Sequence, residues 1–298
     1  MTLTPAAYRR ITFVALLSLA AIIVTGAVVR LTGSGLGCND WPTCEEGQLA
    51  PSQISDAPAM VEFVNRTITG IVSVAVILAV LGALRRVPYR RDLVWLAVGL
   101  VVGVLAQIVL GGLVVLFELS PRLVMGHFLL SMVLLWNAVV LHERSAREST
   151  VPVGDELVRG LARLVFAAAA LAIFLGTVVT AAGPHAGDEQ AARLDLVIGD
   201  VARIHAIAVW IVVALTLGLL RAARDVPSVR RATTVLLVVL VTQGAVGYTQ
   251  YFTGVPATVV GVHVAGAIAV WWAATHVLLS LRAVVPLPDD ARSFARTG

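Results

Sequence analysis

Lysine is absent from this 298-residue chain, so all 22 basic residues are arginine. We read that as codon composition rather than function. Charge of either sign is scarce: 13% of residues are charged, where average soluble domains carry roughly 25%. Polar cover is therefore lacking for a chain that is 58% hydrophobic, which excludes an ordinary water-soluble domain and requires lipid as solvent. The net charge of +4 is not a nucleic-acid footprint, because the arginines form short clusters between apolar runs, as topology signals do. A small-residue cleavage site is also lacking after the first apolar run, Ile11 to Val29, which is read as a span and not a removed signal.

What is present is a series of apolar runs, each near the ~20 residues a spanning helix needs. Eight are predicted, at 11–31, 61–84, 93–117, 123–142, 160–183, 200–220, 232–252 and 258–281. The fold class expected is an all-α membrane protein of eight transmembrane helices in two pseudo-repeated four-helix bundles. Arg9 and Arg10 precede the first span. Arg85, Arg86, Arg90 and Arg91 follow the second, and Arg144 and Arg147 the fourth. Arg221, Arg224, Arg230 and Arg231 separate the sixth and seventh, and Arg282, Arg292 and Arg296 follow the eighth. The positive-inside rule then places both termini in the cytoplasm and loops 32–60, 118–122, 184–199 and 253–257 outside the plasma membrane.

Both cysteines, Cys38 and Cys44, fall in the first outward loop, in GCNDWPTC. That compartment permits a disulfide, which is predicted here; two free thiols or a redox pair are the alternatives. The halves also echo one another. Gln107, Gly111, Val124, His127 and Trp136 recur 136 residues later as Gln243, Gly247, Val260, His263 and Trp272, and GAVV at 26–29 resembles GTVV at 176–179. The expected units are 1–150 and 151–298, with cofactor sites between facing helices.

His127, His205 and His263 each lie about five residues inside a span entered from the outer face, which at ~1.5 Å per residue is less than about 10 Å deep. Asn65 has comparable depth. The four make one pair per half: Asn65 with His127, and His205 with His263. Polar groups at membrane depth are costly and mark function or helix contacts. Two imidazoles at one depth on facing helices can hold a heme iron; zinc is disfavoured because no cysteine or carboxylate accompanies His205 and His263. His142 and His276 near the inner ends read as interfacial groups, and His185 as a loop residue. Gln107 and Gln243 read as cross-helix hydrogen bonders with a heme edge as the alternative, Trp136 and Trp272 as packing, and Trp41 as a loop anchor. Asn65-Arg66-Thr67 spells a glycosylation sequon at a membrane helix, where it is not expected to be used.

Several stretches carry a family resemblance. GAVVRLTGSGLGCNDWPTCEEGQLAP at 26–51 resembles the first outward loop of heme A synthases, and so do EFVNRTITG at 62–70, GHFLLS, RIHAIA and GVHVAGA. The resemblance covers essentially all eight spans. It implies an oxidoreductase of cytochrome oxidase assembly that converts heme O to heme A, oxidising the C8 methyl to a formyl group by successive hydroxylations. It further implies heme b between His205 and His263 in the second half, heme O at His127 in the first half, and a functional glutamate at Glu62. Heme O synthase, an electron donor and membrane lipid are the implied partners, and homo-oligomerisation stays open. One departure stands out. The family text Glu-x-x-His-Arg reads Glu62-Phe63-Val64-Asn65-Arg66 here, and a carboxamide is a poor iron ligand beside imidazole. Three readings follow: His127 alone holds a five-coordinate heme with Asn65 orienting water or dioxygen; another residue serves as second ligand; or the first half has lost its chemistry.

Glu62 either handles protons beside the methyl group or caps the second span. Arg30 and Arg66 lie outside against the charge rule, and are expected to pair with heme propionates or a glutamate, or to snorkel to headgroups. A di-heme cytochrome carrying electrons from quinol shares the bundle, but gives no reason for the cysteine loop or Glu62. A two-repeat transporter does not explain the matched histidine depth.

Overall fold

The structure, a computed structural model, describes residues 2–38, 40–45, 47–147 and 150–284. Arg292 and Arg296 lie outside the described residues. Eight helices are long and apolar enough to cross a membrane: α1 (Pro5–Leu31), α2 (Ala57–Arg85), α3 (Arg91–Leu116), α4 (Pro121–Ser145), α5 (Glu156–Ala182), α6 (Ile198–Ala222), α7 (Pro227–Phe252) and α8 (Ala257–Ser280). The chain is a multi-pass membrane protein. α1, α2 and α5 begin four to six residues before the apolar runs because their first turns are set by polar caps, which hydropathy does not see. Thr4 accepts from the Ala7 N–H (3.2 Å), Asp56 from Ala59 (3.2 Å) and Asp155 from Val158 (2.9 Å). Proline opens α1, α2, α4 and α7, where its missing N–H costs nothing.

α1 packs on α2 and α4, and α3 on the same two helices. α5 and α7 likewise each pack on α6 and α8. The two groups meet through α1 against α8, α4 against α8, and α4 against α5. Leu16, Val76, Leu100 and Leu135 lie in one core, Val165, Val212, Leu236 and Val277 in the other. Trp271 of α8 crosses into the first core. Its ring stacks on Phe166 with centroids 4.6 Å apart, and its indole N–H donates to the Met132 carbonyl at 2.8 Å. A buried indole so partnered carries no unsatisfied donor into the seam.

The arginine-rich end is clasped by a feature absent from the sequence-based expectation. β1 (Thr150–Pro152) pairs antiparallel with β2 (Arg282–Val284). Arg147 donates to the Leu279 carbonyl (2.8 Å) and pairs with Glu143 (2.9 Å), and His276 faces the same carboxylate at 3.4 Å. His142 is buried against the Thr12 hydroxyl (3.1 Å). These two histidines tie helix ends together at the membrane edge.

Candidate heme site

Opposite the arginine-rich end, the segment between α1 and α2 folds over the bundle. Cys38 and Cys44 form a disulfide and are both fully buried. The segment is tied down by one residue pair of α2. Glu62 is 5% exposed, the only buried acid among the described residues, and accepts from the Cys38 N–H at 2.8 Å. Its Oε1 meets Arg66 Nη2 at 2.6 Å. Arg66 also donates to loop carbonyls, those of Asp40 (3.1 Å) and Thr43 (2.8 Å). A helix i,i+4 pair thus holds the hairpin between the cysteines by backbone groups, and Trp41 of that hairpin lies on α3. A Cβ at Gly112 would stand 2.6 Å from its indole, so only glycine admits the ring there. Asp40 accepts from the Thr43 hydroxyl and the Trp41 N–H, which hold its carboxyl below the usual range. The loop also reaches the other half, where the Gly35 N–H donates to the Gly187 carbonyl at 2.9 Å. His185 bonds the Val255 carbonyl at 2.8 Å, joining the segment after α5 to the turn before α8.

Beneath these loops stand the histidines. The rings of His205 on α6 and His263 on α8 have centroids 6.4 Å apart and planes 81° apart. Two imidazoles, each about 2 Å from a shared iron, would hold their ring centres roughly 6 Å apart, so the spacing suits one metal between them. His205 Nδ1 lies 3.0 Å from the Ala172 carbonyl, to which its N–H donates; this leaves Nε2 with its lone pair free. His263 Nδ1 is buried with no partner among the described residues, as is His127 Nδ1. A buried polar atom without a partner is costly, and a ring kept that way awaits a group that the chain does not supply. Among the described residues no set of three or more His, Cys, Asp or Glu is placed to hold a metal ion. A metal bringing its own equatorial ligands, as heme iron does, fits two lone imidazoles; a bare zinc ion does not.

Two of the three histidine-bearing helices, α4 and α8, are set in register by a glutamine. Gln107 Nε2 donates to the His127 carbonyl at 3.0 Å, and Gln243 Nε2 to the His263 carbonyl at 2.6 Å. The cross-helix reading of both glutamines is thereby met. Arg30 lies at the end of α1 beside Gly187, and its guanidinium makes no hydrogen bond or ion pair among the described residues. Asn65 accepts at Oδ1 from the Thr25 hydroxyl (2.8 Å). Sequence reasoning missed Thr25, Trp271 and Ala172. Thr25 was discoverable from its place beside Gly26 in the GAVV echo, but a backbone carbonyl such as that of Ala172 leaves no trace in residue types.

Comparison with known proteins supplies a family. The model of the COX15-CtaA family, described as cytochrome oxidase assembly protein, matches residues 9–187, more than half of the chain. Curated relatives share stretches of similar length. The heme A synthase of Shouchella clausii is 35% identical over 147 residues, 48% of this chain and 47% of its own. That of Lysinibacillus sphaericus is 31% identical over 113 residues, 38% and 36% of the two chains. That of Exiguobacterium sibiricum is 31% identical over 132 residues, 43% and 44%. The chain therefore spans about half the length of the curated relatives it matches, or less. The family match ends before His205, so the pair in α6 and α8 stands on its own geometry.

Proposed function

Because the chain belongs to the COX15-CtaA family of cytochrome oxidase assembly proteins, we propose that it is a heme-modifying oxidoreductase that converts heme O to heme A. The observation that carries the reading is the imidazole pair at 6.4 Å, one ring oriented by a backbone carbonyl. The proposed arrangement has two units. Residues 1–150 form the substrate half, with heme O on His127. Residues 151–298 hold heme b between His205 and His263. The cysteine loop faces outward, both termini are cytoplasmic and the membrane is the plasma membrane, as the arginine distribution favours. The loop pinned by Glu62 and Arg66 covers the first-half bundle and excludes water from it.

Each of two hydroxylations would insert one atom of dioxygen into a C8–H bond, the other atom leaving as water with two protons and two electrons from the donor; the methyl thus becomes the alcohol and then the geminal diol, which loses water to give the formyl group. Heme b supplies one-electron transfer when bound. Each hydroxylation needs a proton handled near the substrate, and Glu62 is the acid placed for it, with Oε1 held by Arg66 and Oε2 by the Cys38 N–H. Arg30, whose guanidinium has no hydrogen bond or ion pair among the described residues, is the group to pair a heme propionate. Arg66 contributes by fixing Glu62 and the loop, and by any donor left toward a propionate. Asn65, held by Thr25, would orient water or dioxygen near a heme bound by His127. Heme O synthase is the source of substrate, and the electron donor is a separate partner.

Supplying heme O to cells expressing the protein and separating the extracted hemes tests the reading. Heme A is expected. Heme b alone would replace the enzyme by a di-heme electron carrier, and an extract without heme would end both.

A further inference from the structure

Three of the four even-numbered helices press a histidine ring against a bare glycine on the preceding helix. A Cβ at Gly176 of α5 would lie 3.2 Å from His205 Cε1, one at Gly247 of α7 3.1 Å from His263 Cε1, and one at Gly111 of α3 3.3 Å from His127 Cε1. Each distance is tighter than an ordinary van der Waals contact, so in each pair the glycine is the seat on which the imidazole rests. The fourth pair, α1 with α2, keeps the seat and lacks the ring. Gly26 opens GAVV as Gly176 opens GTVV, yet nothing lies within 4 Å of a Cβ built there. Asn65 stands at the matching depth on α2. Its shorter side chain turns aside to accept from Thr25, one residue before Gly26, at 2.8 Å.

We propose that the open space over Gly26, bounded by Asn65 and Thr25, is a binding site for a small exogenous axial ligand to the first-half heme, a flat nitrogen heterocycle or a diatomic gas, on the face opposite His127. The inference rests on the heme reading above and adds to it the coordination number of one iron. The seat that elsewhere receives an imidazole from the protein receives one here from solution. A diatomic ligand needs less room than a ring, and the Asn65 side chain beside it offers an amide N–H to a bound oxygen atom once the Thr25 contact has taken Oδ1. In the second half the rings of His205 and His263 stand 6.4 Å apart, so a heme held between them would have no axial position left for an added ligand.

The test is a titration of the purified, heme-loaded protein with imidazole, and of its reduced form with carbon monoxide, followed by optical absorption and EPR. In the wild type, the high-spin signal of one heme converts to low spin on adding imidazole, and one carbon monoxide binds per chain while the other heme does not respond. Asn65→His gives the low-spin spectrum without added imidazole and takes up no carbon monoxide. Gly26→Leu fills the seat, weakening imidazole at least tenfold while carbon monoxide still binds. Two low-spin hemes in the wild type with no response to either ligand overturn the proposal and leave the heme reading standing. An unchanged imidazole affinity in Gly26→Leu also overturns it. A preparation without Soret absorption overturns the heme reading itself, and this inference with it.

Discussion

His263→Ala is expected to cost the protein its second-half heme by more than about 100-fold in retention, since even substitutions one shell beyond a metal ligand cost about 10- to 100-fold. The change leaves Gly247 without its ring and His205 without a partner across 6.4 Å. Gln243 still reaches the residue-263 carbonyl, so α8 keeps its register and the fold is retained. The low-spin signal should vanish, and the heme that remains should be the one in the first half. His205→Ala should match it. Added imidazole together with fresh heme should restore a second low-spin heme per chain in either variant, over and above the first-half heme that imidazole converts by itself, because the space vacated is the size of the probe. Retention of a full low-spin heme in His263→Ala would assign the iron to other residues.

The second large effect is at Glu62. Glu62→Ala removes a carboxylate that is 5% exposed and leaves the Arg66 guanidinium half-buried without a counter-charge. Breaking a buried pair in this way costs about 3–5 kcal/mol. Here the loss falls on the loop, because the same carboxylate receives the Cys38 N–H and orients the guanidinium that holds Asp40 and Thr43. Hydrogen exchange across residues 34–48 should accelerate. Heme A formation should fall by about 100-fold or more, as expected for a group that exchanges protons with the reacting centre. Glu62→Gln separates the two roles. The amide is nearly the same size, but its single oxygen can keep only one of the two donors, the Cys38 N–H or Arg66, while its NH2 faces the other, so residues 34–48 should exchange faster than in the wild type and slower than in Glu62→Ala. If Glu62 handles the proton, Glu62→Gln is as inactive as Glu62→Ala; activity near wild type in the glutamine variant would reduce Glu62 to a clasp.

Much of this architecture was legible in the sequence because lipid imposes it. Eight apolar runs had to become helices, since no other element hides its backbone groups within one segment. The depth of His127, His205 and His263 could be counted from the span starts, and the cysteine pair could be assigned to one loop. Lateral position was not legible. That Arg66 would be consumed by Glu62 and three loop residues, while Arg30 stayed unengaged among the described residues, depends on how the loop folds back on α2. The seam through Trp271 was hidden for a similar reason. The repeat drew attention to Trp272, its neighbour, whereas burial against Phe166 and Met132 depends on which face of α8 meets the other half. Gly111 and Gly247 were visible as repeated letters, but their role emerges only when a histidine ring is seen lying on each.

The most direct test is the EPR spectrum of the oxidised, purified protein. Imidazole planes 81° apart leave the two iron π-orbitals nearly equal in energy, so a heme held by His205 and His263 should give a strongly anisotropic low-spin signal that is lost in His205→Ala. A preparation with intact helical content and neither Soret absorption nor that signal would contradict the assignment of these two side chains to one iron.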